Sequence, residues 1–375
     1  MQLMGTTMNG TSIVYFMILF ILLNFLTPKD AYSQTVTNDN TILVSVPLNN
    51  EAGDYLDIVS NGENNKQVLR LFVNDLIFDI KPVYDNGELI HITMNTKPDL
   101  QSLYNEIGMF GKPHDIVFIY PSFTQAAYDT NGFYDYYNKN CDSKCLTVKI
   151  PDKINGFQSS SITGAWALKL LDYPYIKDQD VDKNPEILKQ YKRVIVLHNE
   201  YVTKREFNAI TSHPNVIFLY PNALYTEVKS DYNTNTITLV RGHGYPHHSI
   251  KNGFDWKYDA SKNEYDVGCE NWHFYKKENY TILNCYPEYR ILYDTKLIKS
   301  LQSDDPSNVR SVVVNWLTNV KQYDATRSFL QGLGIEGKYV PHWVQNTALM
   351  LLDERISIND FIGMMAYLYE KNILQ

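Results

Sequence analysis

The segment from Arg193 to Glu200, RVIVLHNE, carries an apolar run directly into an imidazole and a carboxylate two positions apart. Side chains alternate along an extended chain, so His198 and Glu200 face one way and Asn199 the other. A neutral imidazole and a carboxylate at that spacing can bind one divalent or trivalent metal ion. The plainer alternative is that His198 ends the strand and Glu200 opens the next helix. A second cluster, RGHGYPHH from Arg241 to His248, sets three histidines on a glycine-flexible loop. His243 there can approach the same place as a ligand, acid or base, while His247 and His248 read more readily as solvated. Other chemistries lack their residues: no cysteine follows a buried strand to serve as a thiol nucleophile, and no Gly-x-Ser-x-Gly elbow, phosphate loop or dinucleotide fingerprint occurs.

Three uncharged runs are expected to position these residues as buried strands: IVFIY within His114 to Pro121, VIVL within Arg193 to His198, and VIFLY within Asn215 to Tyr220. Helical periods fill the chain around them, at Asp99 to Gly111, Pro185 to Tyr191 and Thr203 to His213. Apolar strands alternating with helices predict an α/β fold, a mainly parallel sheet with helices on both faces. Ligands of such sheets bind beyond the carboxyl ends of the strands, which gathers Tyr120 to Tyr128, His198 to Tyr201 and Tyr220 to Tyr225 at one edge. LTVKI, Leu146 to Ile150, is expected as another strand. Residues 34–97 read as an antiparallel β lead-in, and residues 98–305 as the α/β domain with antiparallel β additions after Tyr225, EYRILYD among them. Ser307 to Leu330 reads as one long amphipathic stretch within a helical linker, residues 306–339. Pro341 and a capping-box-like start at Ser357 then predict a small C-terminal α-helical hairpin over residues 340–375.

The formal charge of −8 leaves no basic footprint for nucleic acid. Ser12 to Leu26 is an uncharged apolar run that matches the core of a secretory signal, and Ala31-Tyr32-Ser33 fits a cleavage site before Gln34. Residues 1–33 are therefore expected to direct export to the cell surface or beyond. No Lys or Arg precedes the apolar core, so an uncleaved N-terminal anchor stays open and is the only expected membrane contact. Four cysteines in an exported chain favour disulfides. Cys269 and Cys285 flank a hairpin pattern that sets them opposite each other, and Cys141 and Cys145 share a polar loop. The rival, a four-thiolate zinc site, would have irregular spacings. Asn279-Tyr280-Thr281 at the hairpin turn is a glycosylation sequon. The 29 tyrosines suit an amphipathic surface for contact with a protein or glycan, a cell-surface component.

Two resemblances add to this reading. Val340, Pro341, Trp343, Asn346, Ala348, Ile356, Phe361, Tyr367, Leu368, Asn372 and Ile373 match a short helical module common in exported proteins of ammonia-oxidising archaea. Met350 and Leu351 stand where that module has a tryptophan pair. The stretch YPSFTQAAYDTNGFYDYY, with VIVLHNEYV and FLYPNALY after it, is similar to the C-terminal domain of the dimethylformamidase large subunit. That resemblance implies a class I glutamine amidotransferase-like fold and a single iron or zinc ion, because the family's iron is held by tyrosine and glutamate with a histidine close by. The matching positions are Tyr128, His198, Glu200 and Tyr201, while Leu197 and Val202 replace the family's glycine and tryptophan. The implied activity is metal-assisted hydrolysis of an amide C–N bond in a small amide, with Tyr128, His198 and Glu200 on the metal and His243 as the catalytic acid or base. A catalytically silent cell-surface binding protein on the same fold is the alternative.

Overall fold

The structure is a computed structural model of the 375-residue chain, and it describes residues 21–22, 32–36, 41–46, 55–61, 66–85, 88–129, 131–151, 160–320 and 325–374. The chain opens with strands β1 (Ile21–Leu22), β2 (Tyr32–Val36), β3 (Thr41–Val46), β4 (Tyr55–Asn61) and β5 (Lys66–Phe72), an antiparallel sheet in chain order. A separate hairpin, β6 (Phe78–Asp85) with β7 (Glu88–Thr96), completes the antiparallel lead-in. Apart from Ile21, Leu22, Tyr32 and Ser33, the expected signal segment lies outside the described residues. Among the described residues no helix is long and apolar enough to cross a membrane.

The α/β domain follows, built on α1 (Gln101–Ile107), β8 (Ile116–Tyr120), α2 (Ser122–Tyr128), α3 (Phe133–Tyr137) and β9 (Thr147–Lys149). It continues through α4 (Ile162–Leu170), β10 (Tyr175–Lys177), α5 (Asp178–Lys183), β11 (Arg193–Val196), β12 (Tyr201–Thr203), α6 (Lys204–Ser212) and β13 (Val216–Phe218). Strands β14 (Thr226–Asp231), β15 (Thr236–Arg241), β16 (Phe274–Lys277) and β17 (Tyr280–Leu283) end it, before α7 (Thr295–Ser300). Its principal sheet has the order β10-β8-β11-β13-β17-β16, parallel throughout except for the edge strand β16.

The period-two rule decides which face each residue feeds. Phe118, Ile195, Leu197 and Ile217 enter one core with Tyr104 and Ile107 of α1 and Leu168 of α4. Val117, Ile119, Val194, Val196 and Val216 enter the other with Val181 of α5 and Ile210 of α6. Helices thus cover both faces, as expected. Each fully buried aliphatic side chain contributes roughly 1.5–3 kcal/mol, which is why these uncharged runs leave no alternative register.

Several elements differ from expectation. LTVKI is a strand as expected, at Thr147–Lys149, though shorter and outside the principal sheet. Thr147–Lys149 instead edges a second sheet of order β12-β14-β15-β9, because Val148 alone of the three is buried, against Ile237 and Leu239. EYRILYD is a 3-10 turn, Arg290–Leu292, rather than a strand: Ile291 and Leu292 sit in the core beside α7, whose N-cap Asp294 accepts from the Leu297 amide at 3.0 Å. The stretch from Ser307 to Leu330 is two helices, α8 (Val309–Asn319) and α9 (Ala325–Gly332), since folding back stacks Trp316 on Phe329 at 4.2 Å. Helices α10 (Val344–Leu352) and α11 (Ile358–Glu370) form the expected hairpin, with the Ser357–Asp360 capping box in place. All four helices share one hydrophobic cluster, so the described residues from 309 to 374 pack as one unit. It touches the sheet at β16, where Lys277 Nζ donates to the Gly334 carbonyl at 2.8 Å.

Cys141–Cys145 and Cys269–Cys285 are disulfides, and no described cysteine is free, which removes the four-thiolate zinc reading. Asn279 closes the β16–β17 turn, and its amide is already engaged, donating to the His213 carbonyl at 2.5 Å.

Candidate functional site

Beyond β11 the chain turns out of the sheet at its carboxyl edge. Asn199 curls back so that its Oδ1 accepts the Leu197 amide at 3.0 Å, and the Glu200 carbonyl accepts the amides of Tyr225 and Thr226 at 3.0 and 2.9 Å. The Ser161 hydroxyl accepts the His198 amide at 3.1 Å and Ser160 donates to the His198 carbonyl at 3.0 Å. Backbone and side chains of His198 and Glu200 are thereby fixed and fully buried.

Tyr128, the last residue of α2, donates its hydroxyl to Glu200 Oε2, and Tyr134 donates to Tyr128 at 3.2 Å. His198 Nε2 stands 3.9 Å from Glu200 Oε2, and His243 Nδ1 stands 3.9 Å from Glu200 Oε1. The four residues singled out in the sequence therefore converge on one carboxylate. His247 and His248 do not join them: they are exposed and stack on each other at 4.2 Å.

Three further residues belong to the centre. Glu264 Oε1 lies 3.6 Å from His198 Nε2, and the Tyr286 hydroxyl lies 3.3 Å from His198 Nδ1. Asn222, in the left-handed region at φ 59°, faces both Glu200 and Glu264 and lowers both carboxyls. Asn222 follows the third buried strand and was readable from the crevice rule. Glu264 and Tyr286 lie in irregular chain on either side of the Cys269–Cys285 disulfide, where no periodicity points to them.

Burial dominates the electrostatics. It raises the Glu200 carboxyl well above the usual range, and the nearby Glu264 raises it further against the hydrogen bonds from Tyr128 and Asn222. Burial likewise raises Glu264, to about 7, and lowers His198 to about 3 and His243 to about 4. Both imidazoles are neutral at neutral pH. The charges acting most strongly on Glu200 are the acids Glu264 and Asp259. Glu200 Oε1 and His198 Nε2 are buried with no hydrogen-bond partner. Each such atom costs about 1–3 kcal/mol unless something else meets it.

A cation would meet both atoms. Imidazole, carboxylate and phenol form a donor set that suits iron or zinc. Among the described residues no three His, Cys, Asp or Glu side chains are grouped so that they could hold a metal ion. An open cleft lined by Tyr136, Tyr137, His243, Gly244 and His248 leads in from solvent, with the His243 ring packed on Tyr137 at 4.3 Å. No family model matches the chain, and no curated protein matches it.

Proposed function

We propose that the chain is an exported hydrolase that cleaves the C–N bond of a small amide with one iron or zinc ion, on a class I glutamine amidotransferase-like fold. The observation that carries this reading is the pair of unpartnered buried atoms, Glu200 Oε1 and His198 Nε2, in a centre whose neighbouring charges are acidic. Tyr128, His198 and Glu200 would hold the ion, which when bound supplies Lewis-acid polarisation of a carbonyl or a water activated at neutral pH. Glu264 is balanced near neutrality, and its side chain is 22% exposed, so Oε1 can take a proton from a water and return it to solvent. His243, neutral and half-buried between the cleft and Glu200, is an acceptor for a second proton. Tyr136 and Tyr137 wall the approach beside His243.

The test is amine release from a panel of small carboxamides by the purified protein loaded with iron(II) or zinc(II). Release by the wild type that His243→Ala reduces by roughly 10²-fold or more is the expected outcome. Absence of release from every amide with either metal would favour a cell-surface binding protein on the same fold.

A further inference from the structure

Asn199, between His198 and Glu200, points to a second group of buried acids. Asp178, the first residue of α5, is fully buried and accepts hydrogen bonds from Asn199 Nδ2 at 2.6 Å, the Phe123 amide at 2.7 Å and Ser122 Oγ at 3.3 Å. Ser122 and Phe123 open α2, the helix that ends at Tyr128. One carboxylate thus ties together the two chain segments that bring Tyr128 to Glu200.

Glu206 on α6 is equally buried. Its amide is capped by Thr203 Oγ1 at 3.1 Å, and Asp178 is the charge that acts most strongly on its carboxyl. Among the described residues neither Glu206 oxygen has a hydrogen-bond partner. Asp182 is already satisfied, accepting from Thr203 Oγ1, Ser230 Oγ and the Tyr232 hydroxyl, each at 2.6 Å. No cation neutralises the group: Lys183, Lys204 and Arg205, on the same two helices, are exposed. The titratable groups facing Glu206 from its neighbours are Asp178, Asp182 and Tyr232.

We propose that Glu206 carries a proton, and that Asp178 is the positioning residue that fixes α2 against Asn199. A fully buried carboxyl with no donor to either oxygen takes up a proton instead of staying charged. Burial raises Asp178 to about 6 and Glu206 well above the carboxylate range, in keeping with that arrangement. The proton follows from burial without a donor, whereas the positioning of a metal centre rests on the function proposed above.

Infrared spectra at pH 7 of the wild type and Glu206→Gln test the proton: the wild type should show a protonated-carboxyl band that E206Q lacks. Identical spectra in the carboxylic-acid region overturn it. Titration with zinc(II) tests the positioning. Asp178→Ala should weaken zinc(II) binding roughly 10- to 100-fold. E206Q, which leaves the hydrogen bonds to Asp178 from Asn199, Phe123 and Ser122 in place, should bind as the wild type does. Ile210→Ala, which empties the same face of α6 without touching Asp178, should lower the melting temperature and leave zinc(II) affinity unchanged. Wild-type affinity in D178A, or in Asp178→Asn should the alanine variant not fold, overturns the positioning role. A wild type that takes up no zinc(II) defeats the metal reading instead. Hydrogen exchange then decides the tie, which requires the Phe123 amide to lose protection in the Asp178 variants and to keep it in I210A.

Discussion

Glu200 gathers more of the centre than any other side chain, and the sequence exposes it for a local reason. An uncharged strand followed by His-x-Glu carries its geometry within eight residues, so alternation alone predicts a shared face. Glu264 and Tyr286 carry no such signal, since their approach to His198 depends on how a disulfide-closed segment lies over the sheet edge. Burial without compensation also occurs away from the centre. Lys276 on β16 is buried, and among the described residues its ammonium has one hydrogen bond, to Thr281 Oγ1 at 3.4 Å. Burial lowers its ammonium to about 8. A lysine whose folded value lies below its unfolded one binds fewer protons when folded, so stability rises with pH from about 8 to about 10.5. Lys276→Met should therefore stabilise the protein at pH 7 by on the order of 1–3 kcal/mol and gain little at pH 10.5. Denaturant titrations at the two pH values check this, and equal effects at both would remove the titration as the cause.

At the scale of elements, fully buried strands were legible and partly exposed or divided elements were not. β8, β11 and β13 announce themselves by uncharged runs. β10 is three residues long with only Ile176 buried, too little pattern to read. The continuous helical period from Ser307 to Leu330 concealed the division into two helices, because both halves keep their apolar stripe, and Trp316 stacks on Phe329 only once the halves pack together. That pairing makes α8 and α9 part of the C-terminal unit instead of a linker. Truncation after Tyr339 should expose Val313, Trp316 and Phe329 and give a protein that binds a hydrophobic dye. Truncation after Asp305 removes the whole cluster, and the α/β domain should then unfold cooperatively without dye binding. Dye binding by the shorter form alone would contradict a shared core.

At the scale of the molecule, one parallel sheet covered on both faces delivers three chain segments to its carboxyl edge, and the two disulfides suit an oxidising compartment. The α/β class was legible because apolar runs alternate with helical periods. The pairing of β17 with β13 was not, since it joins residues about sixty positions apart with no local trace. The centre at that edge is acidic, dry and short of cations, and the proposed function stands on what neutralises it. The direct measurement is metal content per chain by elemental analysis, on the wild type and on Glu200→Gln purified in parallel. The account predicts close to one iron or zinc per wild-type chain and almost none in E200Q, with both proteins giving the same circular dichroism spectrum. A wild type free of metal, or an E200Q variant that retains it, would contradict the central claim.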